Sequence, residues 1–172
     1  DVLPYLPGTR FGVGLSFGYG AATRARFQAE TGLEAPFATE RLGNAARFDE
    51  WRRAKLSALV AVIAERARSA RPGAEISAAV YPDVERAYLG LYQDWRGWLE
   101  AGSLDFAVPM LYSKDARLFG YQVDELAGLP EAERIWIGLG SWLFASDPAR
   151  AVEQTRRVLG RSGVGVAFFS WD

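Results

Sequence analysis

The sequence predicts a parallel α/β fold. Four short, almost continuously apolar runs recur about every 30 residues, as successive βαβ units require. The segments between them carry apolar residues at spacings of three and four, the period of a helix that buries one face. Each run also ends at or near an aromatic residue.

Along the chain, the first 44 residues stand apart. They hold six glycines by Gly32 and three prolines by Pro36, with one helical stretch from Ala21 to Thr31. A loop this long in a compact domain is usually functional or belongs to something upstream. The expected division is 1–44, a Gly-rich loop and short helix, and 45–172, a single α/β domain. Phe48, Trp51, Leu56, Leu59, Val60, Ile63, Ala67 and Ala70 form the first long helical stripe, stopped by Arg71-Pro72-Gly73. The first strand reads from Glu75 to Tyr81. One helix is then expected from Val84 to Ala101, with Asp83 as its N-cap and Tyr88, Leu91, Trp95, Trp98 and Leu99 on its inner side. The second strand spans Leu104 to Tyr112. Leu118, Phe119, Val123 and Leu126 mark the next helix, the third strand runs from Arg134 to Gly140, and Asp147-Pro148 opens a last helix that continues to Leu159. The fourth strand covers Gly163 to Trp171. All four lack polar alternation, which suits parallel strands better than half-exposed hairpins.

Composition narrows the chemistry. The chain has 172 residues, 49% hydrophobic and 24% charged, enough for one soluble domain, and no apolar run approaches the roughly 20 residues of a membrane span. With 20 basic and 21 acidic side chains it lacks the basic footprint of a nucleic-acid binder. Zero cysteines and zero histidines remove thiolate nucleophiles, Cys or His zinc sites and Ser-His-Asp triads. Only Lys55 and Lys114 could form a Schiff base, and neither sits in an apolar context. Carboxylate chemistry remains, and no cofactor is implied. Gly12-Val13-Gly14-Leu15-Ser16-Phe17 has Phe17 where a dinucleotide fingerprint needs its third glycine, and no strand precedes it. The arginine groups at 52–53, 66–71 and 156–161 read as solvated helix faces.

Ligands of parallel α/β folds bind at the carboxyl ends of the strands. Tyr81, Tyr112, Trp142 and Trp171 fall there, with Ser113, Ser141 and Ser170 beside them. Aromatic faces with adjacent hydroxyls suit the apolar C–H faces of sugar rings. Asp83, Asp115, Asp147 and Asp172 lie at the same edge. The first three occupy helix N-cap positions, and capping is the role expected of them, most of all for Asp147 before Pro148.

The stretch Tyr92-Gln93-Asp94-Trp95-Arg96-Gly97-Trp98-Leu99-Glu100-Ala101-Gly102-Ser103-Leu104-Asp105-Phe106-Ala107-Val108-Pro109-Met110-Leu111-Tyr112 resembles the helix end and strand of the bacterial glycosyl hydrolase-like 10 family. Phe48-Asp49-Glu50-Trp51-Arg52-Arg53, Ser77-Ala78-Ala79-Val80-Tyr81-Pro82-Asp83, Ile137-Gly138-Leu139-Gly140 and Phe168-Phe169-Ser170-Trp171-Asp172 extend the resemblance over most of residues 45–172. The resemblance implies a (β/α)₈ barrel of the TIM type, of which four strands make the C-terminal half, and a glycoside hydrolase acting on a polysaccharide or cell-wall glycan. It implies that a missing upstream strand precedes residue 1. It implies a sugar cleft lined by Tyr81, Met110, Tyr112, Ser141, Trp142 and Trp171. Asp83 and Asp172 are the acid/base candidates in this chain, and the principal carboxylate is expected upstream of residue 1. No metal ligand is implied; the partner is a carbohydrate, with no nucleic acid and no membrane span, and the resemblance suggests a cell-envelope or exported location. A different reading of the same residues is a non-catalytic carbohydrate-binding half-barrel that self-associates through its open sheet edges. A third is a doubly wound nucleotide-binding domain, which the absence of a phosphate loop disfavours.

Overall fold

The structure, a computed structural model, describes residue 18 and residues 20–36 and 44–169. Helix α1 (Ala21–Thr31) ends at Gly32, whose φ of +70° is the left-handed turn that glycine adopts without a Cβ penalty. Its buried Phe27 meets Phe48 edge-on at 5.0 Å and Trp51 at 5.5 Å, both on α2 (Ala45–Ala70). Glu30 fastens the two helices, pairing with Lys55 at 2.6 Å and accepting the Trp51 indole N–H at 2.8 Å. These donors, Lys55 first and then Trp51, pull its carboxyl down to about 2.

Strand β1 (Ser77–Val80) follows, and after it the chain departs from the single helix expected over 84–101. There are two short helices, α3 (Val84–Gly90) and α4 (Trp95–Glu100). The break is Tyr92, a non-glycine residue at φ +58°. Such a backbone needs compensation. Tyr92 is 2% exposed, its hydroxyl donates to Asp49 at 3.0 Å, and the Arg52 guanidinium lies 4.2 Å from its ring centre. Asp94 then starts α4 by accepting the Gly97 N–H at 3.1 Å. A Cβ at Gly97 would stand 2.6 Å from the Asp94 carboxylate, so this cap depends on that glycine.

The remaining elements are β2 (Phe106–Leu111), α5 (Ala116–Ala127), β3 (Ile135–Gly140), α6 (Pro148–Leu159) and β4 (Val164–Phe169). Pro148 opens α6 as the sequence predicts, but the Asp147 side chain makes no capping bond. Its backbone, at φ −149° and ψ 73°, lies outside the usual cap geometry, and its carbonyl takes the Arg150 N–H at 3.2 Å instead.

The four strands pair in parallel and in chain order, β1-β2-β3-β4. Right-handed crossovers that always step in one direction place every connecting helix on the same face. A doubly wound sheet would need its order to reverse, and this one does not. The fold is α/β with barrel-type winding, four consecutive units of a (β/α) barrel. The register sets Ala78, Ala107, Ile135 and Val164 in one row facing the helices. Val80, Ala107, Leu111, Ile135, Ile137 and Leu139 are at most 2% exposed there, packed with Trp95 and Leu99 of α4, Phe119, Val123 and Leu126 of α5 and Val158 of α6. The opposite face carries no helix among the described residues. Ser77 and Ala79 are exposed on it, and the Trp136 ring, stacked on Phe106 at 4.8 Å, lies flat across Gly165, where a Cβ would approach it to 2.9 Å.

The amino edge of the sheet is tied by polar groups. Asp105 accepts the Ile76 N–H at 2.6 Å and pairs with Arg68 at 2.8 Å, and these contacts, the backbone N–H first, hold its carboxyl below the usual range. The Arg134 guanidinium donates to three carbonyls, those of Leu99 (2.7 Å), Asp105 (2.9 Å) and Leu104. Replacing Arg134 by methionine keeps the stem and strands these acceptors, so the Arg134→Met chain is expected to lose about 2–3 kcal/mol in urea unfolding; an unchanged midpoint and slope would contradict the assignment.

Candidate functional site

The carboxyl edge is built from the residues that follow each strand. β2 leaves the sheet through two tight turns, Tyr112 N–H to the Met110 carbonyl and Ser113 N–H to the Leu111 carbonyl, each at 3.0 Å. β3 passes directly into a 3₁₀ turn, Ser141–Phe144, that swings Trp142 back over the strand end. The Trp142 ring reaches 3.0 Å from where a Cβ on Gly140 would be, so glycine makes the room. Trp142 meets Tyr112 edge-on at 4.7 Å and 75°, and Tyr112 meets Phe169 of β4 at 5.8 Å. Three strand ends thus share one aromatic cluster. Trp142 remains 49% exposed. Partial burial raises the Tyr112 phenol above its ordinary value.

Side chains lock this edge laterally. The Ser141 hydroxyl donates to the Phe169 carbonyl at 2.8 Å, joining β3 to β4. The Gln154 amide of α6, 7% exposed, donates to the Ser113 carbonyl at 2.8 Å, and Arg150 donates to the Lys114 carbonyl at 2.6 Å. The Gln93 carbonyl oxygen accepts the Tyr81 N–H at 2.8 Å. The loop that carries Tyr112 is therefore held from behind by α6.

The sequence-predicted residues divide into three groups. Tyr112, Ser141 and Trp142 come together, and Met110 stands half-buried on the uncovered face opposite Gly138. Tyr81 joins a different group, with the Arg86 guanidinium 5.0 Å from its ring and its side chain against the main core. Trp171 and Asp172, with Ser170, lie outside the described residues. Phe169, which the sequence reading passed over in favour of Trp171, is the ring that β4 contributes. Its signal was register: it shares a face with Gly165 and Ala167 and pairs with Gly140. Gln154 was also missed, although it falls four residues before Val158, a polar residue on an inward helix face.

The carboxylates at this edge differ in occupation. Asp83 accepts the Arg86 N–H at 2.7 Å and caps α3. Asp115 accepts the N–H groups of Leu118 (3.0 Å) and Arg117 (2.8 Å), and these bonds hold its carboxyl below the usual range. Asp147 caps nothing. Among the described residues no three metal-ligating side chains are grouped to hold an ion.

The family model described as glycosyl hydrolase-like 10 matches residues 9–139. The chain belongs to the glycosyl hydrolase-like 10 family. No curated protein matches it at a significant level. The glycosyl hydrolase-like 10 match runs through β1, β2 and all of β3 but its last residue, and it stops short of Trp142 and Phe169.

Replacing Gln154 by leucine fills the same space and leaves the Ser113 carbonyl without its donor. The Gln154→Leu chain is expected to lose about 1–2 kcal/mol of stability and to change the near-ultraviolet circular dichroism of the Tyr112–Trp142 pair. An unaltered spectrum at unaltered stability would show that α6 does not position this loop.

Proposed function

We propose that this chain supplies part of the sugar-binding cleft of a glycoside hydrolase acting on a polysaccharide or cell-wall glycan. The observation that carries the reading is Trp142, half exposed at the carboxyl edge of a barrel-wound sheet and braced edge-on by Tyr112. A core-sealing ring would be buried, as Trp95 and Trp98 are at 1% and 6%. A ring fixed by its neighbour and open on a face offers a preorganised platform for the C–H face of a pyranose. The Tyr112 phenol, for which no hydrogen bond is present among the described residues, adds a donor beside that platform, and Met110 supplies a soft apolar wall.

Glycosidic hydrolysis uses two carboxyls, about 5–5.5 Å apart for retention or about 6.5–9.5 Å apart for inversion. Asp83 and Asp115 are engaged in capping α3 and α5. In this reading the residues described here hold the sugar, and the bond-breaking carboxylates come from elsewhere in the barrel, Asp172 among the candidates.

A second reading rests on the flanks and open edges of the sheet, one face of which carries no helix among the described residues. Apolar residues are exposed at both flanks of the fold: Leu59 (54%) and Ile63 (54%) on α2, and Leu159 (66%) and Phe168 (56%) at the β4 side. β1 and β4 each have one unpaired edge within this sheet. A second copy related by a two-fold axis would set β4 beside the other copy's β1 in parallel, giving a carbohydrate-binding barrel of two halves.

One measurement tests the platform that both readings share, and a second separates them. Trp142→Ala is expected to weaken binding of neutral oligosaccharides by about tenfold or more, about 1.4 kcal/mol, in calorimetric titration; undiminished binding removes Trp142 from the cleft. In sedimentation velocity the two-copy barrel runs as a dimer at micromolar concentration, and a well-behaved dilute monomer rules it out.

A further inference from the structure

Between α5 and α6 runs an open groove of about 560 Å³ that reaches Lys114 and Phe144 of the loops carrying Tyr112 and Trp142, and its charge is opposite to that of the chain as a whole. Lys114, Arg117, Arg150 and Arg157 line it, against Asp124 and Glu153, in a chain whose net charge is −1. Asp124 is already engaged by two arginines, Arg157 at 2.8 Å and Arg161 at 2.6 Å. Lys114, Arg117 and Arg150 are exposed, and among the described residues none of them makes an ion pair. A solvated helix face explains scattered arginines, but it does not explain this arrangement. Arg117 and Arg150 stand in the first turns of α5 and α6, the ends where the helix dipole disfavours a cation and favours an anion. The groove also has built walls. The Arg157 guanidinium lies against Gly120, where a Cβ would come within 3.2 Å of it, and Arg150 sits 5.1 Å from the ring centre of buried Phe144.

The groove and the platform share their loops. Lys114 is two residues past Tyr112, and Phe144 two past Trp142. Resting on the carbohydrate reading above, we infer that the groove takes an acidic substituent, a carboxylate or a phosphate, of the same glycan whose ring lies on Trp142. Arginine forks match both anions in the same bidentate geometry. The substrate class is then an anionic polysaccharide, with the platform reading the sugar and the groove reading its charge.

The test compares three probes on the 172-residue chain: an oligouronide, a neutral oligosaccharide of equal length and a sugar phosphate. The oligouronide or the sugar phosphate is expected to bind about tenfold more tightly than the neutral oligosaccharide in low salt, and the advantage to shrink in 0.5 M salt, where the screening length falls to a few ångströms. The arm that shows the advantage identifies the anion. Lys114→Gln combined with Arg117→Gln, both at exposed side chains, is expected to abolish the advantage and leave neutral binding and the melting temperature as they were. Equal binding of charged and neutral probes overturns the anion groove while the platform stands. Persistence of the advantage in the double variant overturns it as well. If no probe binds at all, both the groove and the carbohydrate reading fall.

Discussion

Four parallel strands laid down in chain order leave their helices one face of the sheet to occupy, because crossovers of the usual right hand that keep stepping one way stay on one side. Most of the structure follows from that constraint. It concentrates the main apolar core between the sheet and α4, α5 and α6, around Trp95, Leu99 and Phe119, while Phe27 and Phe48 form a smaller core between α1 and α2. It also denies the other face any cover from the described helices. That face is dressed for close packing within a barrel: small residues at Gly138, Gly165 and Ala167, and flat rings at Phe106 and Trp136. The same winding brings successive strand ends into a row, so residues separated by about 30 positions in sequence become neighbours at one edge.

The two edges are put to different uses. At the amino edge, Arg134 and Asp105 bind backbone groups of neighbouring segments, and polar side chains are consumed in holding the fold. At the carboxyl edge, the fixing groups stand behind the loops. Gln154 and Ser141 each bond backbone atoms, which leaves the rings of Tyr112 and Trp142 positioned, with Trp142 half exposed; Gln93 does the same for the end of β1. A platform held in this way loses little conformational entropy when a ligand settles on it, which is how preorganised sites gain affinity.

The strands were legible because parallel burial writes itself as continuous apolar runs, and α5 because its stripe is strong; α2 formed where its stop signals place it, but Leu59 and Ile63 of its expected stripe are exposed. The break between α3 and α4 was not legible, since nothing local announces a tyrosine at φ +58°; tertiary contacts of Tyr92 with Asp49 and Arg52 decide it. Asp94 followed by Gly97 was the available hint. Asp147 misled in the other direction, because residue type and the following proline fix where α6 begins but not where a side chain points. At the candidate site, Tyr112, Ser141 and Trp142 could be found from strand ends alone. Phe169 and Gln154 required the register and the packing of α6, and Tyr81 turned to the core because β1 ends one residue before it.

The central claim is that the carboxyl edge holds a sugar ring against Trp142. Titrating the ¹⁵N-labelled chain with a neutral oligosaccharide and following the tryptophan indole N–H resonances tests it most directly. The account predicts that the Trp142 resonance moves saturably while those of Trp95 and Trp98, buried in the core, stay fixed. A saturable shift elsewhere with Trp142 unmoved, or no shift at any indole, would contradict it.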